Sequence, residues 1–334
     1  MKTVKVSKPY KYNVYIGTNI AYRLLERFTF DKVMVVADDN LDQNDINNIL
    51  NAFPNVYLLK IKASEENKTL DSYIKIIDEL IKRGFSKCDY LLAFGGGVVC
   101  DLVGYVASTY KRGIKLIMLP TSMLAMVDAS VGGKVGINYN GIKNAIGTIY
   151  SPELVIIDTY YLHSLPLRHL NNGLMEAYKM GLTLDKGIIE AINDKNYLDV
   201  IYYSISAKAK IVDLDYMDNL ERHVLNFGHT IGHAFEMVCP IYLHGEAIGA
   251  SLLFFIKDET LKKQVRNDLS KYFNVDEALK DIINNKELIL ERIKNDKKVI
   301  NSTHFFIKEV VLNKIGDYEF VDYSYNDYEG LLNE

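Results

Sequence analysis

The run Tyr90-Leu91-Leu92-Ala93-Phe94-Gly95-Gly96-Gly97-Val98 decides the fold. Its first five residues are a short block with no polar side, which predicts a strand covered on both faces. Three glycines follow at once. They let the backbone turn tightly and approach a ligand, and the free N–H groups of a helix starting behind them favour phosphate. A plain strand-to-helix turn needs fewer glycines, yet the spacing is not GxGxxG, because Cys100 stands at the last glycine position. Alone, the turn specifies a phosphate or a dinucleotide and nothing narrower.

Similar apolar blocks recur on both sides, at 32–37, 56–61, 115–119 and 154–157. Helical patterns separate them, as at 69–83, where Leu70, Ile74, Ile77 and Ile81 form a stripe that Gly84 ends. Alternation of this kind predicts a Rossmann-like parallel sheet with helices on both faces. From Leu170 onward the patterns are long and helical, with strand-like residues only at 303–313, and Leu165-Pro166 breaks the periodicity. The expected architecture is an N-terminal α/β domain, residues 1–160, and a mainly α-helical domain, residues 161–334, with ligands favoured in a cleft between them.

Composition removes several classes of function. Lys and Arg number 39 against 43 Asp and Glu, a formal net charge of −4, and 49% of the 334 residues are hydrophobic. A chain so balanced is globular and lacks the basic footprint that binds nucleic acid. Cys88, Cys100 and Cys239 are odd in number and never in CxxC spacing, which speaks for a reducing cytoplasm and against a disulfide framework or thiolate zinc site. Residues 1–17 alternate Val4 and Val6 with polar neighbours, a strand pattern rather than a signal peptide, and no apolar segment approaches the roughly 20 residues that span a bilayer. A soluble cytoplasmic protein is expected.

Polar residues cluster in three further places. Asp38 and Asn40 stand at the carboxyl end of the 32–37 strand, where an acid could hold ribose hydroxyls. Arg112, Lys134 and Lys143 are interspersed with Thr121, Ser122, Asp128, Gly132, Gly133 and Asn144, a mixture of cations and backbone donors that suits an anionic substrate. In the segment from Glu221 to Glu236, residues Arg222, Asn226, His229 and His233 fall at helical offsets 0, 4, 7 and 11, which predict one polar stripe along a helix. Leu225, Phe227 and Ile231 want burial, so the stripe is buried too and needs a ligand or metal to satisfy it. His229 and His233 at i, i+4 could both bind zinc, but Thr230 stands where an HExxH protease has its Glu. Glu176, one turn before Lys179, and His244 are the other ligand candidates. Two His and one Glu with an open position define catalytic rather than structural zinc. His163, His169, His223 and His304 lack such company.

Taken in order, these clusters resemble the 3-dehydroquinate synthase family of the sugar-phosphate cyclase superfamily, from Asp38 to Asp296-Lys297-Lys298, with 95–144 and 225–246 the most specific stretches. The resemblance implies conversion of 3-deoxy-D-arabino-heptulosonate 7-phosphate to 3-dehydroquinate and phosphate in the shikimate route, with bound NAD and a divalent metal, zinc or cobalt. It implies Glu176, His229 and His244 as metal ligands. It implies NAD contacts at Asp38, Asn40, Glu65, Lys68, Gly96, Gly97, Val98, Asp101, Thr121, Ser122, Asp128, Lys143, Tyr161, Ser164 and Leu165. The implied substrate set is Asp128, Lys134, Lys143, Asn144, Lys179, Lys208, Arg222, Asn226, His233 and Lys298, and Arg112 would reach a neighbouring phosphate across a homodimer interface. Ser122 replaces a usual Thr, Ser64 a usual Gly, and His169 a frequent acid. Rivals are another sugar-phosphate cyclase or a metal- and NAD-dependent polyol dehydrogenase, which would release NADH and needs neither a carboxylate clamp (Lys208, Arg222) nor a phosphate set.

Overall fold

The apolar blocks become strands: β1 (Lys2–Val6), β2 (Tyr12–Gly17), β3 (Val33–Asp38), β4 (Val56–Ile61), β5 (Tyr90–Gly95), β6 (Lys115–Pro120), β7 (Lys134–Tyr139), β8 (Ile142–Ile149) and β9 (Leu154–Asp158). This computed structural model describes residues 1–7, 9, 11–294 and 306–333. A seven-stranded sheet has the order β1-β2-β9-β6-β5-β3-β4, with β1 antiparallel to β2 and the other pairs parallel. Val33 to Ala37, Leu91 to Phe94 and Leu116 to Leu119 are at most 1% exposed, as expected of strands covered on both faces. The helix Gln43–Leu50 carries the chain outward from β3 to β4, and Leu70–Lys82 returns it to β5 on the other side of β3. The strand order therefore reverses between β3 and β5, and the crevice at their carboxyl ends, beside Asp38 and Gly95, is where such sheets bind ligands.

Two compact units divide the chain: Met1–Leu165 with Tyr197–Met217, and Pro166–Asn196 with Asp218–Glu334. The chain thus crosses between units more than once, whereas a single boundary at 160/161 was expected. The helix Tyr197–Leu214 packs against β1 and β2, burying Val200, Ile201 and Ile205, which assigns it to the first unit. The second unit contains the helices Leu167–Thr183, Gly187–Asn193, His229–Val238, His244–Ser251, Glu259–Leu269, Val275–Asn284, Lys286–Lys294 and Tyr325–Leu331, with an antiparallel pair β10 (Ile307–Lys314) and β11 (Asp317–Tyr323). No helix among the described residues is long and apolar enough to cross a membrane.

Three local expectations are corrected. In the helix Leu70–Lys82, Ile76 and Leu80 are buried, while Leu70, Ile74 and Ile81 are 41%, 44% and 62% exposed. Its apolar face is wider than its contact with the helix Gly97–Thr109, β7 and β4, and the inner half wins. Residues 134–144, expected only as part of the anion-binding cluster 112–144, belong to a hairpin over 134–149 whose two-residue turn Asn140-Gly141 has positive φ at both positions (48° and 76°). Asn-Gly is a strong hairpin signal, because that turn needs two left-handed residues. Beyond 303–313, a second strand, β11, completes the C-terminal pair.

Candidate active site

In the first unit the glycine turn joins β5 to the helix Gly97–Thr109. Gly96 caps that helix with no side-chain bond, and a Cβ there would lie 3.3 Å from Ser122 Oγ, so the bare backbone keeps a cradle open. Thr121 N donates to Gly95 O at 3.0 Å, fixing the ends of β6 and β5 side by side. Asp38 Oδ1 accepts from Asn40 N and Nδ2, each at 3.0 Å. Burial raises the Asp38 pKa, against the opposing effect of those bonds. Tyr161 packs edge-on against Phe94 at 5.2 Å, with Ser164 Oγ donating to its carbonyl at 3.4 Å and Leu165 N donating to Leu162 O at 3.3 Å. Val98 lies in the first turn of the helix. These backbone donors and the acid at the adjacent strand end fit a dinucleotide.

Lys68 is 3% exposed and donates to Asp101 Oδ2 and Asn144 Oδ1, each at 2.5 Å. Burial raises the Asp101 pKa and the adjacent ammonium opposes it. Lys208, 4% exposed, donates to Asp128 Oδ1 at 2.7 Å and Asp128 O at 2.5 Å. Asp128 lies in a π-helical turn, Ala125–Ala129, a distortion frequent at functional sites. Lys134 is exposed and Lys143 half-buried on the hairpin. Exposed Arg112 has φ 66°, between Lys111 at 50° and Gly113 at 122°.

The second unit builds its centre on the helix Leu167–Thr183. Asn172 Oδ1 accepts from Gly245 N at 2.5 Å, and Glu246 Oε2 accepts from Leu243 N at 2.8 Å. Arg168 grips both Glu246 oxygens at 2.8 and 2.7 Å. The start of the helix His244–Ser251 is thereby tied to the helix bearing Glu176. Glu176 Oε1 lies 3.6 Å from His229 Nε2 and 3.4 Å from His244 Nε2, and ligand atoms of His229, His233 and His244 fall within 4.8 Å of one another. Ligands about 2.05 Å from a tetrahedral zinc are separated by roughly 3.3 Å, so the carboxylate and two imidazoles are spaced to share one ion.

The surroundings favour such an ion. His229 Nδ1 contacts Phe227 O at 3.1 Å and His244 Nδ1 contacts Glu236 Oε2 at 3.3 Å, pairings that put a proton on Nδ1 and leave Nε2 to a metal. Burial lowers the His244 pKa, but the neighbouring Glu176 and Glu236 carboxylates outweigh it and push it up to about 9. Glu236 was given no role from sequence; its place one turn after His233 was the available signal.

The expected continuous helix through 222–233 is corrected. Residues Glu221–Asn226 form a 3₁₀ helix, Gly228 turns left-handed at φ 75°, and a new helix starts at His229. The stripe is therefore not one helical face, although Arg222 (3% exposed), His229 (9%) and Asn226 belong to that single broken segment. A Cβ on Gly228 would meet Leu252 N at 2.9 Å. Gly228→Ala is expected to cost about 2 to 5 kcal/mol, from left-handed strain and overpacking, and to weaken zinc binding by displacing His229. Unchanged denaturation and zinc content would contradict this. Lys298 and His304 lie outside the described residues.

Solved structures share this architecture. A 2-deoxy-scyllo-inosose synthase complexed with carbaglucose-6-phosphate, NAD+ and Co2+ superposes with TM-score 0.87 at 22% identity, covering 99% of both chains. A 2-epi-5-epi-valiolone synthase from Streptomyces hygroscopicus subsp. jinggangensis 5008, with NAD+ and Zn2+ bound, gives 0.80 at 23% identity, covering 99% of this chain and 98% of its own. The chain has the fold of these synthases. Residues 58–172 match the family model for the 3-dehydroquinate synthase N-terminal part and 173–299 that for the C-terminal part. A 3-dehydroquinate synthase of Clostridium tetani (strain Massachusetts / E88) is 34% identical over 335 residues, covering 92% of this chain and 88% of its own. The chain belongs to the 3-dehydroquinate synthase family.

Proposed function

We propose that this chain is a 3-dehydroquinate synthase that takes 3-deoxy-D-arabino-heptulosonate 7-phosphate to 3-dehydroquinate and phosphate. The observation carrying the reading is the convergence of Glu176 Oε1 with the Nε2 atoms of His229 and His244 at 3.6 and 3.4 Å in a chain of this family. NAD is assigned to the first unit, through Asp38, Asn40, Glu65, Lys68, Asp101, Thr121, Ser122, Tyr161, Ser164, Leu165 and the turn Gly96-Gly97-Val98. The metal is assigned to Glu176, His229 and His244 of the second unit. When bound, NAD supplies a reversible hydride acceptor and the divalent ion, zinc or cobalt, a Lewis acid toward substrate hydroxyls.

The protein's own groups mainly hold and orient. From the first unit, Lys134, Lys143, Asn144 and Lys208 offer donors to an anionic substrate, and Asp128 Oδ1 is a proton acceptor poised by Lys208. From the second, Arg222, Asn226 and His233 offer donors, and Lys179 Nζ can exchange a proton with a bound hydroxyl. Holding a phosphate where its own oxygen can take a neighbouring C–H proton lets placement do much of the work, since intramolecular orientation contributes roughly 7 to 11 kcal/mol. Exposed Arg112, in its left-handed run, is assigned to a homodimer interface, and the enzyme to the cytoplasm.

The test is a phosphate-release assay on the heptulosonate, with NADH absorbance followed and a chelator arm included. Phosphate without net NADH, stopped by chelator, is expected. Stoichiometric NADH would establish a dehydrogenase instead.

A further inference from the structure

We propose that Asn138 is a positioning residue whose two amide faces separately set the cofactor side and the substrate side of the first unit. The proposal rests on the reading above, which gives Glu65 and Lys68 to NAD and Asn144 to the substrate. Asn138 lies near the end of β7, just before the Asn140-Gly141 turn. Its Nδ2 donates to Glu65 Oε1 at 2.8 Å and to Glu65 O at 3.2 Å, while its Oδ1 accepts from Asn144 N at 2.8 Å. Its own N–H donates to Lys68 O at 2.8 Å.

The orientation of this amide is forced. Asn144 N–H can only donate, so the oxygen must face it and the NH₂ must face Glu65, an acceptor. Asn144 stands at φ 51°, an uncommon conformation for a non-glycine residue, and the bond from its N–H is one that helps hold it there. Held so, Asn144 Oδ1 accepts from buried Lys68 at 2.5 Å. The bonds close a ring from Asn138 to Asn144, to Lys68 and back to Asn138. One face of a single side chain thus steadies the 64–68 loop and the other the 142–149 strand.

Substitutions can separate the faces. Asn138→Asp keeps an oxygen for Asn144 N–H but turns a carboxylate toward Glu65; Asn138→Ala removes both contacts. The experiment titrates NAD into wild type and both variants, measures substrate KM and kcat for each, and records thermal melting. Asn138→Asp should weaken NAD binding about tenfold, the scale of one lost bond to a charged group, and leave KM within about twofold. Asn138→Ala should raise both NAD Kd and KM about tenfold. The proposal is overturned if both variants shift Kd and KM in parallel, or if melting falls while Kd and KM hold. A wild-type chain that binds no NAD would instead sink the parent reading, and the proposal with it.

Discussion

His229→Ala is expected to leave the enzyme without metal and to lower kcat by at least about a thousandfold, the scale of several kcal/mol of lost charge stabilisation. His233→Ala is expected to keep its metal and still lose turnover. The distinction matters because His233 shares the three-imidazole cluster, its ring centroid 5.0 Å from that of His229 and 5.5 Å from that of His244. Two features fit His229 and His244 to the ligand role. Each has Nδ1 backed by an oxygen, Phe227 O or Glu236 Oε2, which directs Nε2 outward. Each Nε2 also lies within 3.6 Å of the same Glu176 oxygen. Metal content measured by plasma mass spectrometry on both variants, beside kcat, decides the matter. Equal metal loss would make His233 a ligand and the assignment wrong.

How far the sequence alone reaches depends on the range of the interaction that shapes each part. The parallel sheet is legible because burial on both faces leaves unbroken apolar blocks such as Val33 to Ala37, a signal written in consecutive residues. The break at Gly228 is less so. Residues 222, 226, 229 and 233 satisfy helical spacing, and nothing local states that Leu252 closes over residue 228. The hairpin at 134–149 is legible in Asn140-Gly141, although its lysines and glycines equally suit an anion site. Which half of a broad apolar face turns inward, as in the helix Leu70–Lys82, depends on neighbours remote in the chain. Ligand geometry is remote in the same sense: Glu176 and His244 are brought together by Asn172 and Gly245, a bond across 73 positions that no spacing predicts. Asn138 carries no sequence signal at all, since its role consists of partners at 65, 68 and 144.

Lys179→Met is expected to destabilise the metal-free protein by about 3 to 5 kcal/mol, the usual cost of breaking a buried ion pair, and the loss should shrink when zinc is added. Lys179 and Glu176 lie one turn apart on the helix Leu167–Thr183, and both side chains are 2% exposed. The ammonium donates to Glu176 Oε2 and to Leu225 O, each at 2.5 Å. Methionine fills similar space, so packing changes little while the buried positive charge disappears. Glu176 Oε2 faces Lys179 and Oε1 faces the two imidazoles, which makes the carboxylate the shared partner of an ammonium on one side and a divalent ion on the other. A bound ion then stands in for part of the missing charge. Chemical denaturation of wild type and variant, with chelator and with zinc, measures this directly. An equal loss under both conditions would mean that Lys179 acts through shape and its bond to Leu225, with no electrostatic link to the metal centre.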